Sequence, residues 1–123
     1  IDFIKDFLIY EEIAVNGKNY LLVHAGLGNY SSDKDIEDYS IHELIWTRAD
    51  YDVQYFKNTY VVTGHTPTQM IEDNPHPGYI YRRNNHIAIE CGATYTVGRL
   101  AALCLDIGKE YYSSSNEMEV IDV

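Results

Sequence analysis

Two histidines stand where the sequence pattern brings a strand to its end. His24 follows Tyr20-Leu21-Leu22-Val23 and precedes Ala25-Gly26, while His65 follows Tyr60-Val61-Val62-Thr63-Gly64 and precedes Thr66-Pro67. Imidazole is the commonest nitrogen ligand for transition metals, and strand ends held by a rigid scaffold are where α/β proteins tend to place chemistry. Two such ends in one sheet could bring both rings to a single edge. Spacing alone favours the plainer role, a satisfied structural or surface histidine, since the two lie 41 residues apart. The remaining candidates are weaker. His42 falls on a helix face that suits solvent or packing, His76 lies in a proline-rich loop, and Cys91 follows a strand, where a buried cysteine acts as a small hydrophobe.

The elements that must position these residues follow from local pattern. Ile1, Phe3, Ile4 and Leu8 share one face of a short helix or of a helix end. Ile9 to Val15 and Tyr20 to Val23 read as a hairpin joined at Asn16-Gly17, the strongest short turn signal. Residues 28–40 are polar and acidic, with Asp33, Asp35, Glu37 and Asp38 expected on the surface. Ser40 and Glu43 form a capping box that opens a helix through Ile41, Leu44, Ile45 and Trp46, so Arg48 emerges near its end. Residues 49–58 take no assignment. Tyr60 to Thr63 is a buried strand; Gly64 lets the backbone turn, and Pro67 keeps the strand from continuing. Tyr79 to Tyr81 and His86 to Ile89 read as strands joined by Arg82 to Asn85, Arg99 to Leu105 as another, and Glu110 to Val123 as one last edge strand.

Composition bounds what these elements can serve. A chain of 123 residues with 46% hydrophobic content and 12 tyrosines supports one ordered, sheet-rich unit, residues 1–123, rather than two domains or a disordered segment. A formal net charge of −10 argues against gripping nucleic acid or an anionic membrane, both of which require a positive field. Cys91 and Cys104 read as reduced thiols of a cytoplasmic protein. No apolar run approaches the roughly 20 residues that cross a bilayer. The opening at Ile1, inside a helical pattern, leads us to expect a piece of a longer protein.

Four short segments then acquire a common meaning. Leu22-Val23-His24-Ala25-Gly26-Leu27, Ile45-Trp46-Thr47-Arg48, Val62-Thr63-Gly64-His65-Thr66-Pro67, and Ile89-Glu90-Cys91-Gly92-Ala93 followed by Gly98-Arg99-Leu100 occur in this order. Together they resemble the second half of the calcineurin-like metallophosphoesterases, in particular the bacterial relatives of serine/threonine phosphoprotein phosphatases. The likeness covers residues from about His24 to Asp106. It implies an α+β fold, predominantly β in this chain, forming the C-terminal half of a β-sandwich flanked by helices. It also implies that His24 and His65 ligate one ion of a two-metal centre and that Arg48 binds phosphate, for which a planar guanidinium is suited because it can grip two oxygens at once. A helix cap or a surface ion pair would also account for Arg48, but the phosphate role ranks ahead of either. Gly26 and Gly64 would leave room for a phosphate, or merely permit tight turns. Tyr95 falls where the family's last site loop passes.

The implied reaction is hydrolysis of phosphoserine or phosphothreonine esters, in a phosphorylated protein or a small phosphate ester, by attack of a metal-bound hydroxide. Two divalent ions (manganese, or else iron or zinc) would serve that reaction together. The family's Asp-x-His, Gly-Asp-x-x-Asp-Arg-Gly and Gly-Asn-His-Glu/Asp motifs are missing; Asn84-Asn85-His86 echoes the last but reads as a hairpin turn. The chain therefore holds at most half of one metal's ligands and no catalytic residue of its own, and the isolated piece is expected to be inactive and to self-associate. A dinucleoside-polyphosphate hydrolase of the same superfamily and a non-catalytic β-rich binding module with structural histidines are the alternatives.

Overall fold

A computed structural model describes residues 2–113 and 118–123. It is predominantly β, with two sheets and few helices. β1 (Tyr10–Val15) and β2 (Lys18–Val23) form the expected hairpin. Asn16 and Gly17 both take positive φ, at 50° and 76°, the left-handed pair that matches the twist of the flanking strands. β2 then pairs in parallel with β3 (Thr59–Thr63), and β3 in parallel with β5 (His86–Ala88), while β4 (Tyr81–Arg83) closes the far edge antiparallel to β5. The order is β1-β2-β3-β5-β4. Asn84 and Asn85, both at positive φ, turn β4 into β5, so this asparagine pair is a hairpin turn as its composition suggested.

Alternation along the central strands assigns each side chain to one of two cores. Leu21, Val23 and Val61 face one way, against Leu27, Tyr39, Leu44, Ala49 and Tyr55. That layer is built by the loops and by α2 (Ile41–Ile45), whose one buried residue is Leu44. Tyr20, Val62 and Ile87 face the other way, against Ile80, Cys91 and Tyr112, with Ala101, Leu103 and Ile121 packed around them. This second core lies against a three-stranded antiparallel sheet of β6 (Ala101–Cys104), β7 (Lys109–Ser113) and β8 (Met118–Asp122). Period-two alternation in a strand buried on both sides is what lets one sheet serve two layers.

Several elements differ from their sequence reading. The tail expected as one edge strand is two strands, with β7 in the middle of its sheet and residues 114–117 outside the described residues. Alternation alone does not show where a chain doubles back. Tyr79 and Ile80 precede rather than form β4: Ile80 donates its amide to Tyr112 Oη at 3.1 Å, a side-chain partner in place of a ladder bond. The N-terminal helix α1 (Asp2–Lys5) buries none of its residues, and Phe3, Ile4, Phe7 and Leu8 face outward. Residues 49–58 form no helix or strand and are anchored by buried Tyr55.

Candidate metal and phosphate site

Parallel pairing of β2 and β3 decides the site. Their register sets Val23 opposite Thr63, so the next residues, His24 and Gly64, leave the sheet side by side. The Gly64 amide donates to the His24 carbonyl at 2.9 Å and extends the ladder one step past the strands. His65 then takes φ 63°, a left-handed conformation rare for a residue with a β-carbon. The expectation that Gly64 makes the turn is thus corrected by one position: the histidine carries the unusual backbone itself. Such conformations cost about 1–3 kcal/mol and persist where surrounding structure over-determines them, commonly at functional sites.

The two rings meet. His24 Nε2 lies 3.1 Å from His65 Nδ1, with ring centroids 4.9 Å apart and planes at 62°. Burial, the neighbouring His24 and the Arg48 charge all lower the His65 pKa, opposed by hydrogen bonding to the Trp46 backbone. The balance favours the neutral ring, which is the form that ligates metal.

Arg48 reaches this edge through close packing of two loops. A β-carbon on Gly26 would stand 2.8 Å from the Ala49 amide nitrogen and 2.9 Å from the Thr47 carbonyl oxygen, so only glycine admits the chain that carries Arg48. Gly28 does the same against the Thr47 side chain. Ala25 and Gly28 also donate to the carbonyls of Leu44 and Glu43, at 2.9 and 3.0 Å, which ties the His24 loop to α2. The space beside Gly26 is therefore filled by backbone and is not room for a phosphate, whereas a β-carbon on Gly64 would have no neighbour nearer than 3.7 Å. The capping box that starts α2 is complete: Ser40 Oγ accepts from the Glu43 amide, and Glu43 accepts from the Ser40 amide. Asn29, the Ser40 amide and Lys34 together hold the Glu43 carboxyl down at about 2.

Behind the pair lies a polar group that the sequence did not single out. Thr63 Oγ1 is 2.7 Å from Nε2 of buried His86, and the Tyr51 ring lies 4.7 Å from the His86 ring, centroid to centroid. Burial raises the Tyr51 phenol pKa, opposed by the Thr66 and Thr63 hydroxyls and by the Arg48 charge. Tyr51 Oη, Thr66 Oγ1 and His86 Nδ1 are shielded from solvent without a completed hydrogen bond among the described residues. The only signal for this group was local, a threonine on each side of Gly64-His65. On the opposite side of the edge, an apolar cleft of about 330 Å³ is lined by Leu8, Ile9, Leu22, Val62 and Ile89, with His24 and Gly64 at one end.

Other candidates lie apart. His42, His76 and Tyr95 are exposed. Cys91 sits in the second core at 1% exposure, its thiol pushed up to about 11 by burial, and it is free, as is Cys104.

The two ring nitrogens stand at hydrogen-bond distance, a separation that two nitrogens bound to one metal ion also take. Two imidazole nitrogens bound at about 2.0–2.1 Å, at angles between octahedral and tetrahedral, lie roughly 2.9–3.4 Å from each other. The observed 3.1 Å falls within that bite. Among the described residues no group of three or more His, Cys, Asp or Glu could hold a metal. No family model, curated protein or solved structure matches the chain.

Proposed function

We propose that this chain is the C-terminal part of a calcineurin-like metallophosphoesterase acting on phosphoserine or phosphothreonine esters. The supporting observation is the 3.1 Å contact of His24 and His65 at the ends of two parallel strands, with Arg48 close enough for its charge to bear on His65. In this reading the two imidazoles hold one of two divalent ions, and the other ligands come from a segment beyond the 123 residues. The ions, when bound, supply Lewis acidity and an activated water. The chain's own residues do the rest. Parallel strands fix both imidazoles, and the left-handed His65 backbone aims its ring at His24. Arg48 projects beside them into solvent, where its guanidinium can take two oxygens of a phosphoryl group and offset the charge that grows there during displacement.

The protein carrying this chain together with its preceding segment should hydrolyse a phosphoserine peptide in the presence of manganese. His65→Ala should abolish that turnover, and Arg48→Ala should lower kcat/KM by about 100-fold or more. Unchanged turnover in a folded His65→Ala protein would overturn the ligand assignment. The isolated 123-residue chain should turn over nothing, because two donors do not retain a metal pair.

A further inference from the structure

His65 owes its place to a turn of only three residues. The Thr66 amide donates to the Gly64 carbonyl at 2.6 Å, which closes a γ-turn around His65 at its φ of 63°. A γ-turn of this hand is rare and strained, so neighbouring groups must hold it. The threonines on either side bring two enclosed hydroxyls to the turn, Thr63 at 0% and Thr66 at 4% exposure. One side chain faces both: the Tyr51 phenol is directed at the Thr66 and Thr63 hydroxyls. Its ring is fixed from two sides, lying on the His86 ring and meeting Tyr81 edge-to-face with centroids 5.7 Å apart. Thr63 Oγ1 is engaged by His86. Tyr51 Oη and Thr66 Oγ1 are shielded from solvent and have no other partner among the described residues, so a small rotation that joins them satisfies both. Tyr51 also stands three residues beyond Arg48, within reach of that guanidinium's charge. The segment that Gly26 admits on the His24 side is therefore tied down by Tyr51 on the His65 side.

We propose that Tyr51 is a positioning residue for His65: its hydroxyl bonds to that of Thr66, locks the strained turn, and keeps the His65 ring on His24. The proposal rests on the functional reading above, in which that ring is a metal ligand, and adds a residue that touches neither metal nor phosphate. Groups that orient a metal-binding histidine from behind typically govern about 10- to 100-fold in metal affinity or activity. The turn itself is built wholly from residues of this chain, so it can be read with no metal and no substrate.

Amide hydrogen exchange followed by NMR reads the turn at the Thr66 amide. Tyr51→Phe keeps the ring and removes only the hydroxyl. Thr66 exchange should then quicken about 3- to 10-fold, the worth of one hydrogen bond, while the Leu21 and Val61 amides in the paired strands β2 and β3 keep their parental rates. The Overhauser contacts of the His65 ring with His24, and with Trp46, which meets it edge-to-face with centroids 5.8 Å apart, should weaken. Thr66→Val should reproduce both effects, Thr66→Ser should behave as the parent does, and combining Tyr51→Phe with Thr66→Val should add nothing to either change alone. Parental protection of the Thr66 amide in Tyr51→Phe, or an equal acceleration at all three amides, would overturn the proposal. In the protein carrying its preceding segment, Tyr51→Phe should raise the manganese concentration for half-maximal turnover about 10-fold or more, with kcat regained at saturating manganese. A loosened turn with an unchanged manganese requirement would sink the positioning role. A loosened turn in a parent protein that hydrolyses no phosphoserine peptide would instead remove the functional reading and leave the hold of Tyr51 on the turn standing.

Discussion

His86 shows how far a single residue's setting can depart from its type. It is 1% exposed, bonded through Nε2 to Thr63 and covered by the Tyr51 ring, and burial pushes its pKa down from 6.5 to about 4. The unfolded chain takes up a proton near 6.5 that the folded chain refuses until about 4. This contribution to stability is therefore whole above 6.5 and fades as the pH falls toward 4, by about 3 kcal/mol over that window. Urea unfolding at pH 7.5 and pH 4.5 measures it: the midpoint should fall on acidification, and His86→Gln should flatten the fall. Parallel losses in both proteins would remove His86 as the cause. Glu43 acts lower on the scale. Its carboxyl is held at about 2 against an ordinary 4.5, so its contribution is present above 4.5 and is lost as the pH falls through 2. The sequence placed His86 at the start of a strand, where it now stands in β5, but gave it no role, because nothing local shows that a polar side chain will be enclosed.

At the scale of elements, the readings that held are those set by neighbours in sequence. Asn16-Gly17 dictates its hairpin because only left-handed residues fit that turn, and Ser40 with Glu43 opens α2 because their side chains satisfy each other's free amides. Ser40→Ala should cost about 1 kcal/mol in a denaturant titration, since it strips the Glu43 amide of its acceptor. Gly26→Ala is a harder test of how the site is assembled. Its methyl group would press on the backbone of residues 47 and 49, so we expect a loss of about 1–3 kcal/mol and displacement of Arg48 from the histidine pair. A Gly26→Ala protein with parental stability would mean that the two loops yield easily. The split of the last strand into β7 and β8 was missed, although Ser113-Ser114-Ser115-Asn116 between the two halves has the composition of a loop.

The whole molecule presents more apolar surface at one end than a closed fold would. Phe3, Ile4, Phe7 and Leu8 are all more than half exposed, the Phe3 and Phe7 rings meet edge-to-face with centroids 5.1 Å apart, and the cleft lined by Leu8, Ile9, Leu22, Val62 and Ile89 opens beside them. Contiguous exposed apolar surface of this kind marks an interaction site. A net charge of −10 opposes association of like chains, and salt screens that repulsion. Sedimentation of the 123-residue chain should therefore show association that rises with concentration and with added salt, and Phe3→Asp with Phe7→Asp should return it to monomer. A monomer at high salt and high concentration would show that this end is tolerated in water. No helix among the described residues is long and apolar enough to cross a membrane.

What the amino-acid sequence determined by itself was the local chemistry: strands that stop at His24 and at Gly64-His65, a capped helix that releases Arg48, and two tight asparagine turns. Each is decided within a few residues by side-chain periodicity, φ preference or a missing amide. Tertiary structure alone decided that β2 and β3 run parallel with Val23 opposite Thr63, which turns two histidines 41 residues apart into a pair 3.1 Å apart. It also decided that two glycines admit the Arg48 segment and that Trp46 is left facing water. The physical reason is that these outcomes depend on which distant strands share hydrogen bonds and which face a core has already filled, and residues adjacent in sequence cannot set either.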